Sequence, residues 1–266
     1  MRPNALKQKL LRGETAVGLM MLSSDHHVPG ITAEAGFDTI MPDLEHTSLS
    51  LRELEAIVRA SDATGIVPTV RVAGSTKPDI LAVLEAGVRG IMVPSVESVE
   101  EAERVVQLAR YHPLGRRGMY YLGYSSEYGG LPAKDHFATA NSELFIILQI
   151  ETVRGVEHAG EIAAVPGVDC LLIGPGDLTQ SLGVPLDFEH TAVWDAIRRT
   201  LDITRKYGKI SGIMPPSVDY ARRCREAGAQ FFLWGPDLSM FQRAARDEAR
   251  TLAGELGWTP ARRPAG

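Results

Sequence analysis

Four times along the chain a helical stretch ends in a small glycine motif and gives way at once to a short apolar run. The motifs are Glu34-Ala35-Gly36-Phe37, Glu85-Ala86-Gly87-Val88, Pro166-Gly167-Val168 and Glu226-Ala227-Gly228-Ala229. Glycine just past a helix supplies the left-handed residue that closes it, because it has no Cβ to clash there. The runs that follow are too short for helices and are apolar throughout, which suits strands buried on both faces. A chain that alternates helix, glycine and buried strand builds a parallel sheet covered by helices, and few other architectures accommodate it.

Counting the apolar runs gives eight strands: Ala16 to Leu22, Thr39 to Met41, Val67 to Val72, Gly90 to Val93, Leu144 to Ile150, Cys170 to Ile173, Ile210 to Met214 and Phe231 to Trp234. Ahead of them lies a short helix, capped by Asn4, with Leu6 and Leu10 on one face and Gly13 at its end. Ser50-Leu51-Arg52-Glu53 and Ser98-Val99-Glu100-Glu101 have capping-box spacing, and Ser217 precedes a helix over 219–226. Eight strand–helix units in about 250 residues is the signature of an α/β fold of the (β/α)8 TIM barrel type, here with an additional N-terminal helix. No G-x-G-x-x-G follows an early strand, which argues against an open dinucleotide-binding sheet. With 266 residues, 44% of them apolar, the chain can bury one full barrel core. We expect a single catalytic domain over 1–257 and a poorly ordered tail over 258–266, where Pro260, Arg262, Arg263 and Pro264 gather.

Two connections are longer than the rest. Residues 111–143 hold Arg116-Arg117-Gly118, four tyrosines (Tyr120, Tyr121, Tyr124 and Tyr128) and Gly129-Gly130. Long loops in compact domains are usually functional, so this insert is expected to shape the substrate pocket. Residues 174–209 are expected to hold a short helix, a turn near Gly183 to Pro185 and a longer helix.

Charge and composition narrow the partners. The net charge of -5 is spread along the chain with no basic stripe to follow a phosphate backbone, so no nucleic-acid partner is expected. There is no apolar leader segment and no run of about 18 apolar residues, so a cytoplasmic protein without a membrane partner is expected. Cys170 and Cys224 lack metal or redox spacing and read as buried free thiols.

Barrel chemistry sits at the C-terminal ends of the strands, which turns strand counting into a site prediction. The second strand runs into Asp43, Glu45 and His46, and the third carries Arg71 within Val70-Arg71-Val72. The fifth ends in Gln149-Ile150-Glu151-Thr152 and the sixth in Gly174-Pro175-Gly176-Asp177. Each group has a plainer reading. Arg71 could form a structural bridge with Glu151 or Asp43, Asp177 and Asp237 could cap helices, and Glu45 and His46 could be surface loop residues. For Asp237 the cap is preferred. Four strand ends that together supply metal-competent carboxylates, a cation and an acid/base pair favour a site.

Carboxylates without a cysteine or histidine beside them suit a hard divalent ion, Mg2+ or Mn2+, with Co2+ or Zn2+ as alternatives. Such an ion can act as Lewis acid on a chelated 2-oxo acid. Arg71 would stabilise a developing enolate oxygen. The turn Gly174-Pro175-Gly176, running into a helix, would hold the ligand's carboxylate, with Gln149 beside it as a further substrate contact. His46, oriented by Asp43, would move the proton.

These motifs carry a family resemblance. Phe37-Asp38 leading to Asp43-Leu44-Glu45-His46, then Pro68-Thr69-Val70-Arg71-Val72, Gly90-Ile91-Met92-Val93-Pro94, Gln149-Ile150-Glu151-Thr152 and Gly174-Pro175-Gly176-Asp177-Leu178, resembles the HpcH/HpaI family of metal-dependent pyruvate aldolases in motif order and spacing. The resemblance extends from Leu6 to Leu256. It implies a class II aldolase that cleaves 4-hydroxy-2-oxo acids into pyruvate and an aldehyde. It also implies that Glu151 and Asp177 bind the metal, that Arg71 contacts the pyruvyl oxygen, and that His46 with Asp43 assists proton transfer. A swapped last helix and a homo-oligomer, trimer or hexamer, follow from it as well. Leu44, Met20 and Glu85 stand where many members have glycine, tryptophan and aspartate, which bears on aldehyde preference.

Three rivals are weighed against this reading. A citryl- or malyl-CoA lyase would want a cationic patch for its longer ligand, and only Arg116 and Arg117 offer one. A Schiff-base aldolase needs a lysine at a strand's C-terminal end; of the six lysines only Lys77 falls near a barrel mouth. A non-catalytic barrel that binds a 2-oxo acid would not need the whole set of groups.

Overall fold

The computed structural model describes residues 2–259 and residue 261. Eight parallel strands close into a barrel in sequence order: β1 (Ala16–Met21), β2 (Thr39–Pro42), β3 (Val67–Arg71), β4 (Gly90–Val93), β5 (Phe145–Ile150), β6 (Cys170–Ile173), β7 (Ile210–Ile213) and β8 (Phe231–Trp234). The ring is sealed by β8 against β1, with Ala16 opposite Phe231 and Leu19 opposite Trp234. Each expected strand is present with ends within one residue of expectation. The four glycines of the repeat, Gly36, Gly87, Gly167 and Gly228, all have φ between +87° and +106°, the left-handed conformation their position requires.

Helices fill the outer layer. They are α2 (Val28–Glu34), α3 (Leu51–Thr64), α4 (Lys77–Ala86), α5 (Val99–Ala109), α6 (Ala133–Glu143), α7 (Val153–Ala164), α8 (Pro175–Ser181), α9 (Thr191–Lys206), α10 (Val218–Glu226) and α11 (Asp237–Leu256). On α9, Val193, Trp194, Ile197, Leu201 and Thr204 recur at helical spacing and are buried, which presses that face onto the sheet. Ser50 and Glu53 form the expected capping box on α3. On α5 only half of the expected box forms: Ser98 caps Glu101, whose own carboxylate turns back to the Glu97 amide instead. The turn after α8 and the long α9 match the expected second connection.

Inside the barrel, Ala16, Met20, Met41, Val67, Met92, Phe145, Ile147, Cys170, Leu172, Ile210, Phe231 and Leu233 form one cluster. Leu6 and Leu10 of the first helix, α1 (Ala5–Leu11), belong to it too, so the additional N-terminal helix closes the lower end of the barrel. Asn4 caps that helix as expected, accepting from Lys7 N at 3.0 Å, and its amide donates to Arg89 O at 2.8 Å. Lys7 reaches the Ser142 and Leu144 carbonyls at 2.9 Å each and Asp169 at 3.1 Å. Cys170 and Cys224 are free and buried, as expected. Of the tail, Pro260 and Arg262 to Gly266 lie outside the described residues. Among the described residues, no helix is long and apolar enough to cross a membrane.

The tyrosine-rich insert corrects an expectation. Tyr124 Oη donates to Asp62 at 2.9 Å, its ring lies over the place where a Gly87 side chain would be, and buried Arg117 donates to Glu85 at 2.9 Å. Asp62 and Gly87 mark the C-terminal ends of α3 and α4. These ends lie at the lower rim of the barrel, since the helices run opposite to the strands. The insert therefore packs there, away from the mouth of its own barrel. The physical reason is that Tyr124 and Arg117 find carboxylate partners on those helices.

Candidate active site

Alternation along the strands decides which polar groups face the barrel interior. On β5, Phe145 and Ile147 point inward, and the next two steps in the same phase are Gln149 and Glu151. The same parity carries Met41 to Asp43 after β2, Val67 and Thr69 to Arg71 on β3, and Leu172 to Gly174 after β6. The interior is thus apolar below and polar at the C-terminal mouth, where the predicted site residues gather.

Asp43 is fully buried and bridges in register with Arg71. Its two oxygens accept from Arg71 Nε at 2.8 Å and Nη2 at 2.6 Å, a bidentate fork. Asp43 Oδ1 also accepts from Glu45 N at 3.0 Å. Burial pushes the Asp43 carboxyl up, but the Arg71 hydrogen bonds and charge outweigh it and hold the group below the usual carboxylate range. On Arg71, burial opposes the charge, and Asp43 and Glu45 more than compensate, so its pKa is raised.

Glu45 Oε2 lies 3.1 Å from Arg71 Nη1 and 3.5 Å from His46 Nε2. The 3.1 Å separation is a charge contact rather than an aligned hydrogen bond, because Oε2 is buried with no hydrogen-bond partner. Burial, with repulsion from Asp43 and Asp177, raises the Glu45 carboxyl despite Arg71 and His46. His46 itself is 60% exposed at the side chain. The expectation that Asp43 orients His46 is corrected here. Asp43 has committed its oxygens to the guanidinium, and the residue touching His46 is Glu45.

Glu151, 2% exposed, is held by Ser95: Oε1 accepts from Ser95 N at 2.8 Å and Ser95 Oγ at 2.7 Å. Its Oε2 accepts from Gln149 Nε2, while Gln149 Oε1 is buried without a partner. Burial raises the Glu151 carboxyl, and Asp177 and Glu45 add repulsion that the Ser95 bonds only partly offset. Gly174 is the floor of this corner. A Cβ there would stand 2.5 Å from Glu151 Oε2 and 2.6 Å from Gln149 Nε2, so only glycine lets the β6 end approach the carboxylate. Asp177 is exposed in the first turn of α8, whose N-cap is Gly174, so Asp177 is not the cap. Asp237 is not a cap either: it begins α11 and accepts from Leu22 N at 2.8 Å and from Ser23 Oγ, tying the end of β1 to that helix.

Four carboxylates (Asp43, Glu45, Glu151 and Asp177) therefore share the mouth with one guanidinium, itself spent on Asp43 and Glu45. An excess of negative charge, all from oxygen donors, together with the unpartnered Gln149 Oε1, fits a hard divalent cation. Ser95 escaped notice in the sequence. Its only signal is a place two residues beyond β4, and its φ of 51°, uncommon for a residue other than glycine, appears only in the fold. Lys77 is exposed at the start of α4, and Lys209 lies at the lower end of β7, where it donates to Val168 O.

Known proteins share this sequence pattern and this fold. The chain is 36% identical over 243 residues to the hydroxypyruvate/pyruvate aldolase of Delftia acidovorans, covering 91% of this chain and 90% of that protein. It is 32% identical over 242 residues to the 2-keto-3-deoxy-L-rhamnonate aldolase of Klebsiella pneumoniae, again covering 91% and 90%. The crystal structure of an HpcH/HpaI aldolase from Desulfitobacterium hafniense superposes with a TM-score of 0.90 at 31% identity, covering 96% of this chain and 99% of that one. The family model for HpcH/HpaI aldolase/citrate lyase matches residues 16–244. With fold and sequence in agreement, the chain belongs to the HpcH/HpaI aldolase/citrate lyase family.

Proposed function

We propose that this protein is a class II, divalent-metal-dependent aldolase that reversibly cleaves a 4-hydroxy-2-oxo acid into pyruvate and an aldehyde. The observation that carries the reading is Glu151, buried at the mouth with its carboxyl raised beside Asp177 and within the field of the Arg71 cluster. Its relatives' names, hydroxypyruvate/pyruvate aldolase and 2-keto-3-deoxy-L-rhamnonate aldolase, support the same chemistry.

Glu151 and Asp177 would hold the metal, Mg2+ or Mn2+ by donor type. When bound, such an ion supplies Lewis-acid polarisation of the 2-oxo group. Arg71 is pre-aligned by its fork to Asp43 and stabilises the C2 oxygen as it gains negative charge. Gln149 and the Gly174-Pro175-Gly176 turn receive the carboxylate end of the substrate; the space beside Gly176 is open. His46 takes the proton from the 4-hydroxyl. The C3–C4 bond then breaks, the aldehyde leaves, and the electron pair passes to the pyruvate enolate, which regains a proton at C3. Glu45 is the positioning partner of His46 in this scheme.

The deciding measurement is exchange of the pyruvate methyl protons in D2O, followed by NMR with Mg2+ or Mn2+ and then with a chelator. Exchange should need the metal, vanish in Glu151→Ala and fall strongly in Arg71→Ala. Exchange that survives chelation and disappears in Lys77→Ala would replace the metal mechanism with a Schiff base.

The assembly belongs to the same proposal. Among its described residues, α11 buries none of its 20 residues and leaves Leu238, Phe241, Leu252 and Leu256 exposed. Its first turn borders an apolar cleft of about 390 Å³ against Leu19, Val28, Ile31 and Phe37. A helix with a wide unburied apolar stripe is supported by packing elsewhere, here against other copies in a trimer or hexamer.

A further inference from the structure

The connection from β1 to α2, Ser23-Ser24-Asp25-His26-His27, contributes nothing to the aldolase scheme, yet it gathers ligand-type side chains. Among the described residues it is the one group in which three His, Cys, Asp or Glu ligand atoms all lie within 4.8 Å of one another. Asp25 Oδ1 is 2.8 Å from His27 Nδ1 and accepts from His27 N at 2.9 Å. The His26 and His27 rings are 4.3 Å apart between centroids and tilted by 33°. Both rings and the carboxylate are exposed, so a cation can reach them without opening the fold.

The loop is held on both flanks. Upstream, Leu22 N and Ser23 Oγ donate to Asp237 of α11. Downstream, Val28 N donates to Asp25 O at 3.1 Å, fixing the turn into α2. A surface turn alone would need only the Asp25 contacts to backbone. Two imidazoles converging on the same carboxylate go further, because neutral imidazole with one carboxylate is a donor set for borderline transition cations.

We propose that Asp25, His26 and His27 form a second cation site, on the rim of the barrel mouth, that takes Zn2+. Three protein ligands leave a fourth tetrahedral position to water. Two ligands on one tetrahedral ion with bonds of about 2.0–2.2 Å stand roughly 3.3–3.5 Å apart, so Asp25 Oδ1 and His27 Nδ1, hydrogen-bonded at 2.8 Å, need to part only slightly to admit it. Rotation of the exposed His26 side chain brings in the third. The two sites sort cations by donor type: oxygen donors at Glu151 and Asp177 for a hard ion, nitrogen-rich donors here for zinc. Zinc at the rim would lock the β1–α2 connection and, through Asp237, the start of α11.

The inference stands apart from the aldolase reading, and one experiment separates them. Untagged full-length protein saturated with Mg2+ is dialysed against Zn2+, and bound zinc is measured in wild type, Asp177→Asn and the double variant His26→Gln/His27→Gln. Wild type and Asp177→Asn should each retain one rim zinc per chain. The double variant should bind it more than about tenfold more weakly, since even supporting residues of metal sites are worth that much. Pyruvate proton exchange in Mg2+ should be unchanged in the double variant, and the His26 and His27 ring signals should shift on zinc addition in wild type. Equal zinc binding in wild type and the double variant overturns the proposal, as does loss of all bound zinc in Asp177→Asn. Failure of the aldolase reading would appear only in the exchange assay.

Discussion

Ser95 holds Glu151 with two donors at once, a backbone N–H and a hydroxyl on one carboxylate oxygen. Removing the hydroxyl leaves the backbone bond, so the carboxylate stays near its place but loses one of the bonds that aim it. Supporting contacts of this kind are worth about 10–100-fold in metal affinity. Ser95→Ala should therefore raise the Mg2+ concentration needed for half-maximal pyruvate proton exchange by roughly that factor, with the melting temperature almost unmoved. A normal metal requirement in this variant would remove Ser95 from the site. The carboxylates and Arg71 were legible in the sequence because a charge that closes a buried strand needs a reason. Their pairing was legible only as alternatives. Arg71 could bridge Glu151 or Asp43, with Asp43 also expected beside His46, and Arg71 lies against Asp43 because β2 and β3 are neighbours and the fork of the guanidinium matches two carboxylate oxygens.

At the scale of elements, the 111–143 insert shows where sequence reasoning stopped. Its tyrosines mark something that packs, and only the fold shows that Tyr124 is the one seated against α3 and α4, while Tyr120, Tyr121 and Tyr128 stay exposed. His136, on α6 and 1% exposed, carries a consequence for pH. Burial, reinforced by the positive charge of Arg117, lowers its pKa from 6.5 to about 4. The neutral form is favoured in the folded state, so the unfolded chain binds this proton first as pH falls. The stabilisation is complete above about pH 6.5 and drains away as pH drops toward about 4, a loss of at most about 3.5 kcal/mol at about 1.36 kcal/mol per unit. Urea unfolding between these pH values should show stability falling with acidity, and His136→Gln should flatten that slope whatever its absolute stability. An unchanged slope would mean that other groups carry the effect. The repeat of helix, glycine and strand was the most legible feature, since a left-handed residue after a helix has few sequence solutions and glycine is the best of them.

For the whole molecule, the unburied α11 is the feature a single chain does not account for. Light scattering on the purified protein should give a mass of three or six chains, and Phe241→Asp with Leu252→Asp should shift it toward one. A monomeric wild type would end the argument from α11. Number and order of strands and the presence of the N-terminal helix were legible in the sequence, because period and turn chemistry act over a few neighbouring residues. The tertiary structure decided which of the strand-end charges meet, that Ser95 and Gly174 shape the Glu151 corner, and that the tyrosine insert lies at the lower rim. Such pairings join residues 28, 56 or 32 positions apart. Only closure of the sheet, which sets strand neighbours and the phase of each side chain, brings them within hydrogen-bond distance.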